Sequence, residues 1–211
     1  MKQKIRPVYM AASAILIWIA LVIQFDISIV KYLSEGRTLG GAIVQLWSYF
    51  TIQNNFLIAL AITLLWLAPT SQWGRFFSKP SVLGALSLYI IITFLVYQFV
   101  LRGQHVMLGW FKFCDEVFHT VAPVLFVVFW LVFTAKAMIP WSKAFNWLIY
   151  PMIYFIYIIV RGALTQLYPY SFLDHNKLTY GQIAVNFVFL LLAFLIVGFG
   201  VIGISRLRTK R

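Results

Sequence analysis

Residues 43–68 read IVQLWSYFTIQNNFLIALAITLLWLA, a mostly apolar run that contains no charged residue. A helix that crosses the hydrocarbon core of a bilayer needs about 20 such residues, and it satisfies its own backbone hydrogen bonds. The strands of a membrane barrel would alternate polar and apolar side chains, and this run does not alternate. The segment therefore predicts a membrane-spanning helix.

Five other segments have the same character, and the whole sequence is 63% hydrophobic and only 10% charged. Soluble domains carry about 25% charged residues, so this chain lacks the polar surface of a water-soluble globule. We predict an all-α membrane protein in which six transmembrane helices form one bundle and one domain over 1–211. The predicted helices cover approximately 7–27, 43–68, 80–101, 117–137, 144–162 and 179–204.

The N-terminal segment 1–25 has a basic start, as a secretory signal peptide does, but its apolar run is long. Gln24, Phe25 and Asp26 do not form the small-residue site at which a signal peptide is cleaved. We interpret the segment as a retained first helix. Cys114 is the single cysteine, so no disulfide is expected within the chain.

Basic residues are distributed unevenly between the two sides of the predicted bundle. Eleven lie in the N-terminal segment, the loops 69–79 and 136–143 and the C-terminal tail, whereas six lie on the other side together with all five acidic residues. Short basic loops mark the cytoplasmic side, so we predict that both termini are cytoplasmic and that the chain is a multi-pass protein of the cell (inner) membrane. The net charge of +12 then faces anionic lipid. A nucleic-acid partner is not expected, because the basic residues form no single face or binding motif.

Polar residues cluster in the middle of the second predicted helix. Thr51, Asn54 and Asn55 share one helical face, since they are three and four residues apart. At 1.5 Å per residue, Thr51 would lie about 12 Å below a helix end at Ile43. Amides are costly in lipid, so we expect this face to point into the bundle.

A second group of polar residues opens the fourth predicted helix. His119 follows Asp115 by four residues, a spacing that lets a carboxylate orient an imidazole. Pro123 has no N–H, so we expect the His119 carbonyl to lose its helical partner and the helix to kink. Arg161, Asp174 and Asn186 also fall in the outer half of the predicted bundle. This asymmetry predicts a polar pocket in the outer leaflet, reached from lipid or from outside.

The polar groups suggest a chemistry. Histidine is the usual base at neutral pH, and a threonine hydroxyl becomes a nucleophile when a base takes its proton. Thr51 and His119 could thus form and release an acyl-enzyme, with Asn54 or Asn55 as amide donors to the oxyanion. Structural explanations remain open: such amides and hydroxyls commonly bond neighbouring helices, and His119 could be an interfacial histidine. Asp115 and Glu116 could simply cap a helix N-terminus.

The same motifs carry a resemblance to a known family. Residues 50–55 (FTIQNN) and 119–123 (HTVAP), with 150–154, Arg161-Gly162 and 168–172, resemble the androgen-induced and androgen-dependent TFPI-regulating membrane proteins and their bacterial six-helix relatives. The resemblance spans nearly the whole chain and rests on the order and spacing of short motifs. It implies a threonine hydrolase that cleaves fatty acid esters of hydroxy fatty acids, with Thr51 as nucleophile and His119 as base. Relatives commonly have Ser-Asn where this chain has Asn54-Asn55.

Two other functions remain open at the level of sequence. A zinc hydrolase could use His105, His119 and His175 with nearby carboxylates, although the histidines lack tight ligand spacing. A transporter or a membrane scaffold is the non-enzymatic alternative, although no internal repeat is visible. The threonine hydrolase interpretation requires no cofactor and no metal. Its partner is a membrane lipid or lipid-ester substrate, and Asp115 and Asp174 are both candidates to orient His119.

Overall fold

The computed structural model describes residues 2–104 and 106–210, with side chains over 4–104 and 106–209. This part of the chain is 80% helical and contains no strand. Six helices are long and apolar enough to cross a membrane, and we call them the first to sixth spans: Lys4–Ser34, Phe50–Leu67, Pro80–Leu101, Gly109–Phe133, Lys143–Thr165 and Tyr180–Thr209. The predicted all-α fold and the six spanning helices are confirmed, and the chain is a multi-pass membrane protein.

The described residues form ten α-helices: α1 Lys2–Ser34, α2 Leu39–Trp47, α3 Phe50–Leu67, α4 Gln72–Phe77, α5 Pro80–Val96, α6 Gly109–Glu116, α7 Ala122–Phe133, α8 Lys143–Asn146, α9 Ile149–Thr165 and α10 Tyr180–Lys210. Helices α2 and α4 lie between spans, and the other eight belong to the spans. Two short π-helical segments interrupt this pattern. Tyr97–Leu101 continues α5, and Val117–Val121 joins α6 to α7. A 3₁₀ turn covers Ser171–Leu173.

The prediction of one continuous helix over 43–68 was wrong. The chain breaks between α2 and α3, where Tyr49 is extended with φ −84° and ψ 123°. The hydroxyl of Ser48 donates to the Val44 carbonyl, and such local side-chain bonds compete with continued helix. Thr51 therefore lies in the first turn of a new helix rather than about two turns into a longer one.

The fourth span also begins earlier than predicted. Asp115 and Glu116 are the last two residues of α6, so the interpretation that they cap a helix N-terminus was wrong. The helix ends at Phe133 instead of 137. In the fifth span, helix α9 continues past Arg161 to Thr165.

The chain divides into two compact units, Met1–Ala137 and Met138–Arg211, whereas the sequence predicts a single domain. In the first unit, α1 packs against α3 and α7. The Trp18 indole donates to the Thr63 hydroxyl over 3.0 Å, and the Tyr9 hydroxyl donates to the Leu125 carbonyl over 2.8 Å. The core between the helices is apolar and includes the fully buried Ile17, Ile58, Ile62, Leu88, Ile90, Phe126 and Phe129.

The second unit contains the fifth and sixth spans. Phe155 of α9 stacks on Phe187 of α10 with ring centroids 3.6 Å apart. Trp141 contacts Phe199 near the other end of α10, and Arg206 donates to the Ile139 carbonyl over 3.2 Å. Aromatic contacts therefore join α10 to α9 and to the segment that precedes α8.

Candidate active site

Thr51 is positioned by the break between α2 and α3. It is the second residue of α3, and only 8% of it is exposed. The N-terminus of a helix carries the positive end of the helix dipole, so Thr51 lies where negative charge is favoured. The sequence identified the residue but not its place in a first helical turn.

His119 is positioned by the π-helical segment Val117–Val121. The N–H of Ala122 donates to the carbonyl of Val117, five residues earlier, in the register of a π-helix. Pro123 is the residue after Ala122 and the second residue of α7. Single π turns are frequent at functional sites because the extra residue turns side chains toward a new face.

The structure brings Thr51 and His119 together across two spans. The hydroxyl oxygen of Thr51 is 3.2 Å from Nε2 of His119, although the residues are 68 positions apart in the chain. This distance is within the reach at which a base can take a hydroxyl proton. The predicted pair is therefore adjacent, whereas its catalytic role stays a prediction.

Asp115 determines which nitrogen of His119 carries the proton. Nδ1 is 3.0 Å from Oδ1 of Asp115 and 2.9 Å from the Asp115 carbonyl oxygen. Both of these groups accept hydrogen bonds, so in a neutral imidazole Nδ1 holds the proton and donates it. Nε2 is then the acceptor and faces the Thr51 hydroxyl. The side chains of His119 and Asp115 are each 14% exposed, so water screens this arrangement little.

Tyr97 supports the same arrangement from the third span, and sequence reasoning missed it. Its hydroxyl donates to Oδ2 of Asp115, and its ring stacks on the His119 ring with centroids 4.0 Å apart and planes 10° from parallel. Tyr97 is the first residue of the π-helical segment that continues α5. The available signal was that a carboxylate at membrane depth requires donors, and a tyrosine in the neighbouring span can provide one.

Asn54 and Asn55, the predicted oxyanion donors, lie beside Thr51, and the amide of each donates to main-chain carbonyls. Nδ2 of Asn54 donates to the Phe50 carbonyl over 2.9 Å. Nδ2 of Asn55 donates to two carbonyls, those of Thr51 and Phe118. Both of the Asn55 amide hydrogens are thus used, so the geometry does not favour an oxyanion role for Asn55. Oδ1 of each asparagine is buried and has no hydrogen-bond partner in the described part of the chain.

A polar network lies on the more exposed side of the site. Arg102 forms a 2.9 Å ion pair with Glu116, and Thr120 donates to the same carboxylate over 3.1 Å. Gln98 donates to the Thr120 hydroxyl, and the Arg102 guanidinium lies 5.3 Å from the centre of the Tyr97 ring. These contacts link the end of the third span to the fourth span next to His119.

Arg161, Asp174 and Asn186, the other predicted site residues, belong to the second unit. Nη1 of Arg161 donates to the Leu167 carbonyl, and Nδ2 of Asn186 donates to the Phe172 carbonyl, each over 2.8 Å. Oδ1 of Asp174 accepts from the Asn176 N–H over 2.9 Å. These bonds hold the chain around the 3₁₀ turn of that unit. Of the two acids proposed to orient His119, Asp115 is the one that contacts its Nδ1.

The zinc alternative requires three protein ligands that converge. Among residues 2–104 and 106–210, no three His, Cys, Asp or Glu side chains lie close enough together to hold a metal ion. His105, one of the proposed ligands, lies outside the described residues. His175 stacks on Tyr180 with centroids 3.7 Å apart, and its Nδ1 lies 3.0 Å from the Leu178 carbonyl oxygen.

The fold and the site together define a class: a multi-pass helical membrane protein in which a buried hydroxyl, an imidazole and a carboxylate contact one another in series. No protein-family model, no curated protein and no solved structure matches the chain. The resemblance drawn from short sequence motifs therefore stays a prediction, and the contacts of the site are the basis for a function.

Proposed function

We propose that the chain is an intramembrane hydrolase of a lipid ester, with Thr51 as nucleophile and His119 as general base. One observation carries the proposal: the Thr51 hydroxyl is 3.2 Å from Nε2 of a histidine whose Nδ1 contacts Asp115. In this series, Asp115 orients His119, and His119 activates Thr51. Asp115 holds the imidazole in the tautomer with a free Nε2 lone pair, and that lone pair can remove the Thr51 proton.

The reaction then proceeds in two balanced steps. Thr51 attacks the ester carbonyl while Nε2 of His119 takes the hydroxyl proton, and the tetrahedral intermediate expels the alcohol, which receives that proton from His119. Water attacks the resulting acyl-threonine while His119 again takes a proton, which returns to Thr51 as the carboxylic acid leaves. The positive end of α3 favours the negative charge that develops beside Thr51.

The position of Thr51 and His119 within membrane-spanning helices supports a lipid substrate. A lipid ester dissolves in the bilayer, and the third span exposes apolar side chains directly after Tyr97, including Phe99 and Val100. This apolar surface suits acyl chains. A fatty acid ester of a hydroxy fatty acid, or a similar ester, is the substrate that the motif resemblance implies. We further propose that both termini are cytoplasmic and that the protein lies in the cell (inner) membrane, because of its charge distribution.

The test is hydrolysis of a fatty acid ester of a hydroxy fatty acid by purified protein in nanodiscs. We expect Thr51→Ala and His119→Ala each to lower kcat/KM by about 10²- to 10⁴-fold, since each removes a group that acts in the transition state. Thr93→Ala is the matched control, because Thr93 is a buried threonine of α5 whose hydroxyl donates to its own helix. It should fold and retain the parent rate.

A fluorophosphonate probe gives an independent measurement. The parent protein should be labelled on Thr51, and Thr51→Ala should not be labelled, because the probe reports an activated hydroxyl. Equal hydrolysis by the parent, Thr51→Ala and His119→Ala would remove the threonine mechanism. A folded parent that neither hydrolyses the ester nor reacts with the probe would favour a transporter or a scaffold instead.

A further inference from the structure

Asn55 connects the two helices that carry Thr51 and His119. Its Nδ2 donates to the carbonyl of Thr51 over 2.9 Å and to the carbonyl of Phe118 over 3.2 Å. The first of these carbonyls belongs to the proposed nucleophile, and the second belongs to the residue before the proposed base. Asn55 is fully buried, so water does not compete for either bond.

Pro123 explains why the Phe118 carbonyl requires a donor from another helix. In the π register, each carbonyl accepts from the N–H five residues later, as Val117 does from Ala122. The next donor in that register would be residue 123, which is a proline and has no N–H. The sequence placed this loss at the His119 carbonyl, as in an α-helix, whereas the π register moves it to Phe118. A buried carbonyl without a donor is costly, and the Asn55 amide supplies the missing bond.

We propose that Asn55 is a positioning residue that sets the distance between Thr51 and His119, and that Asn55 and Pro123 act as a pair. Pro123 removes one donor from the π-helical segment, and Asn55 replaces it from α3. The segment that carries His119 is thereby fixed to the first turn of the helix that carries Thr51. The catalytic part of this proposal rests on the proposed function, whereas the structural part does not.

Asn54 is the natural control, because it differs from Asn55 chiefly in which carbonyls its amide bonds. It is also buried, at 1% exposure, and it lies one residue away on the same helix. Within the residues that the structure describes, its Nδ2 donates to the Phe50 carbonyl of the same helix. Asn54 thus has the same side chain and a similar environment, but in the described part of the chain its amide bonds its own helix and not the π-helical segment.

A double-mutant cycle on thermal stability tests the structural part. We expect Asn55→Leu to lower Tm by roughly 2–8 °C, because Phe118 loses its donor. In a Pro123→Ala background the restored N–H can satisfy the segment, so Asn55→Leu should there cost less than half as much. Asn54→Leu should cost the same in both backgrounds. Equal losses for Asn55→Leu with and without Pro123→Ala would overturn the pairing.

If Asn55→Leu alone does not fold, the cycle is read from the yield of folded protein. The double variant Asn55→Leu/Pro123→Ala should then recover monodisperse protein in detergent, and failure to recover it would overturn the proposal. Asn55→Ser provides a milder substitution, since it retains one short donor. It should lie between the parent and Asn55→Leu in Tm.

Ester hydrolysis tests the catalytic part. We expect Asn55→Leu to lower kcat by about 10- to 100-fold while KM changes little, because the distance between the reacting groups changes and the acyl-binding surface does not. Parent-like kcat in folded Asn55→Leu, alongside loss of activity in Thr51→Ala, would overturn positioning but leave the hydrolase proposal intact. If the protein has no hydrolase activity, the double-mutant cycle on Tm still tests the bond between Asn55 and the π-helical segment.

Discussion

At the scale of single residues, His119 makes three contacts that act on different properties of its ring. Nε2 faces the Thr51 hydroxyl, Nδ1 faces Asp115, and the ring face stacks on Tyr97. The first contact defines what the imidazole can deprotonate, the second its tautomer, and the third its plane. The sequence proposed Thr51 as the partner of His119 from its chemistry, and it left both Asp115 and Asp174 open as the acid that orients the ring. It missed Tyr97, because the need of Asp115 for a donor does not say which residue provides it, and a ring stack between two spans leaves no pattern in either span.

The carboxylate of Asp115 provides a prediction at this scale. We expect Asp115→Asn to lower kcat/KM by about 10²- to 10⁴-fold, because an amide can donate to Nδ1 and so favour the tautomer whose Nε2 is protonated. The Asp115 main-chain carbonyl also accepts from Nδ1, so a parent-like rate in this variant would mean that this carbonyl suffices.

Glu116 is the matched control for that measurement. It is the next residue, also a carboxylate, and its partner is Arg102 rather than His119. Because an exposed ion pair contributes little, Glu116→Gln should change the rate by less than roughly threefold. A similar loss in both variants would point to the net charge of the region instead of the contact with His119.

At the scale of elements, the site depends on three departures from regular α-helix. The break at Ser48–Tyr49 places Thr51 in a first turn, and π-helical segments carry Tyr97 and His119. Pro123 was a visible signal for one of them. The break before Thr51 and the π-helical segment at Tyr97 gave no signal in the sequence. A break or a π turn changes the hydrogen-bond register of the backbone, and the pattern of polar and apolar side chains does not report that register.

The packing of helix α9 in the second unit provides a prediction for thermal stability. Gly162 of α9 lies directly against the ring of Tyr168, and a Cβ at this position would overlap the ring. We expect Gly162→Ala to lower Tm by several degrees, because such overpacking costs about 1–3 kcal/mol. Thermal unfolding in detergent, followed by tryptophan fluorescence, is the measurement.

Gly200 of α10 is the control, since a Cβ there meets no other atom within 4 Å. Gly200→Ala should leave Tm unchanged or raise it slightly, because alanine favours a helix by up to about 1 kcal/mol over glycine. An unchanged Tm in Gly162→Ala would mean that Tyr168 moves aside without cost.

At the scale of the whole molecule, the orientation of the six spans in the membrane is a prediction from charge alone. Single cysteines can test it in a Cys114→Ala background. We expect Lys177→Cys, in the loop before α10, to react with a membrane-impermeant maleimide in intact cells. Ser78→Cys, after α4, should react only once the membrane is opened, because the basic loops are expected in the cytoplasm.

Both of these positions are exposed, whereas Cys114 is buried, so the parent protein should remain unlabelled and serves as the blank. Labelling of Ser78→Cys but not Lys177→Cys in intact cells would reverse the orientation. It would also place the basic termini outside, against the charge rule.

The sequence alone determined that this chain crosses a membrane six times as helices, because long uncharged runs have lower free energy in lipid than in water and a helix satisfies its own backbone. It also identified Thr51, Asp115 and His119 as candidates, since burying polar groups at membrane depth costs free energy and such groups commonly mark functional sites. Only the tertiary structure decided that these three residues meet, that Tyr97 joins them, and that Asn55 bonds the Phe118 carbonyl. Such contacts depend on the register and rotation of packed helices, which side-chain packing determines and which hydrophobic runs of nearly uniform character do not encode.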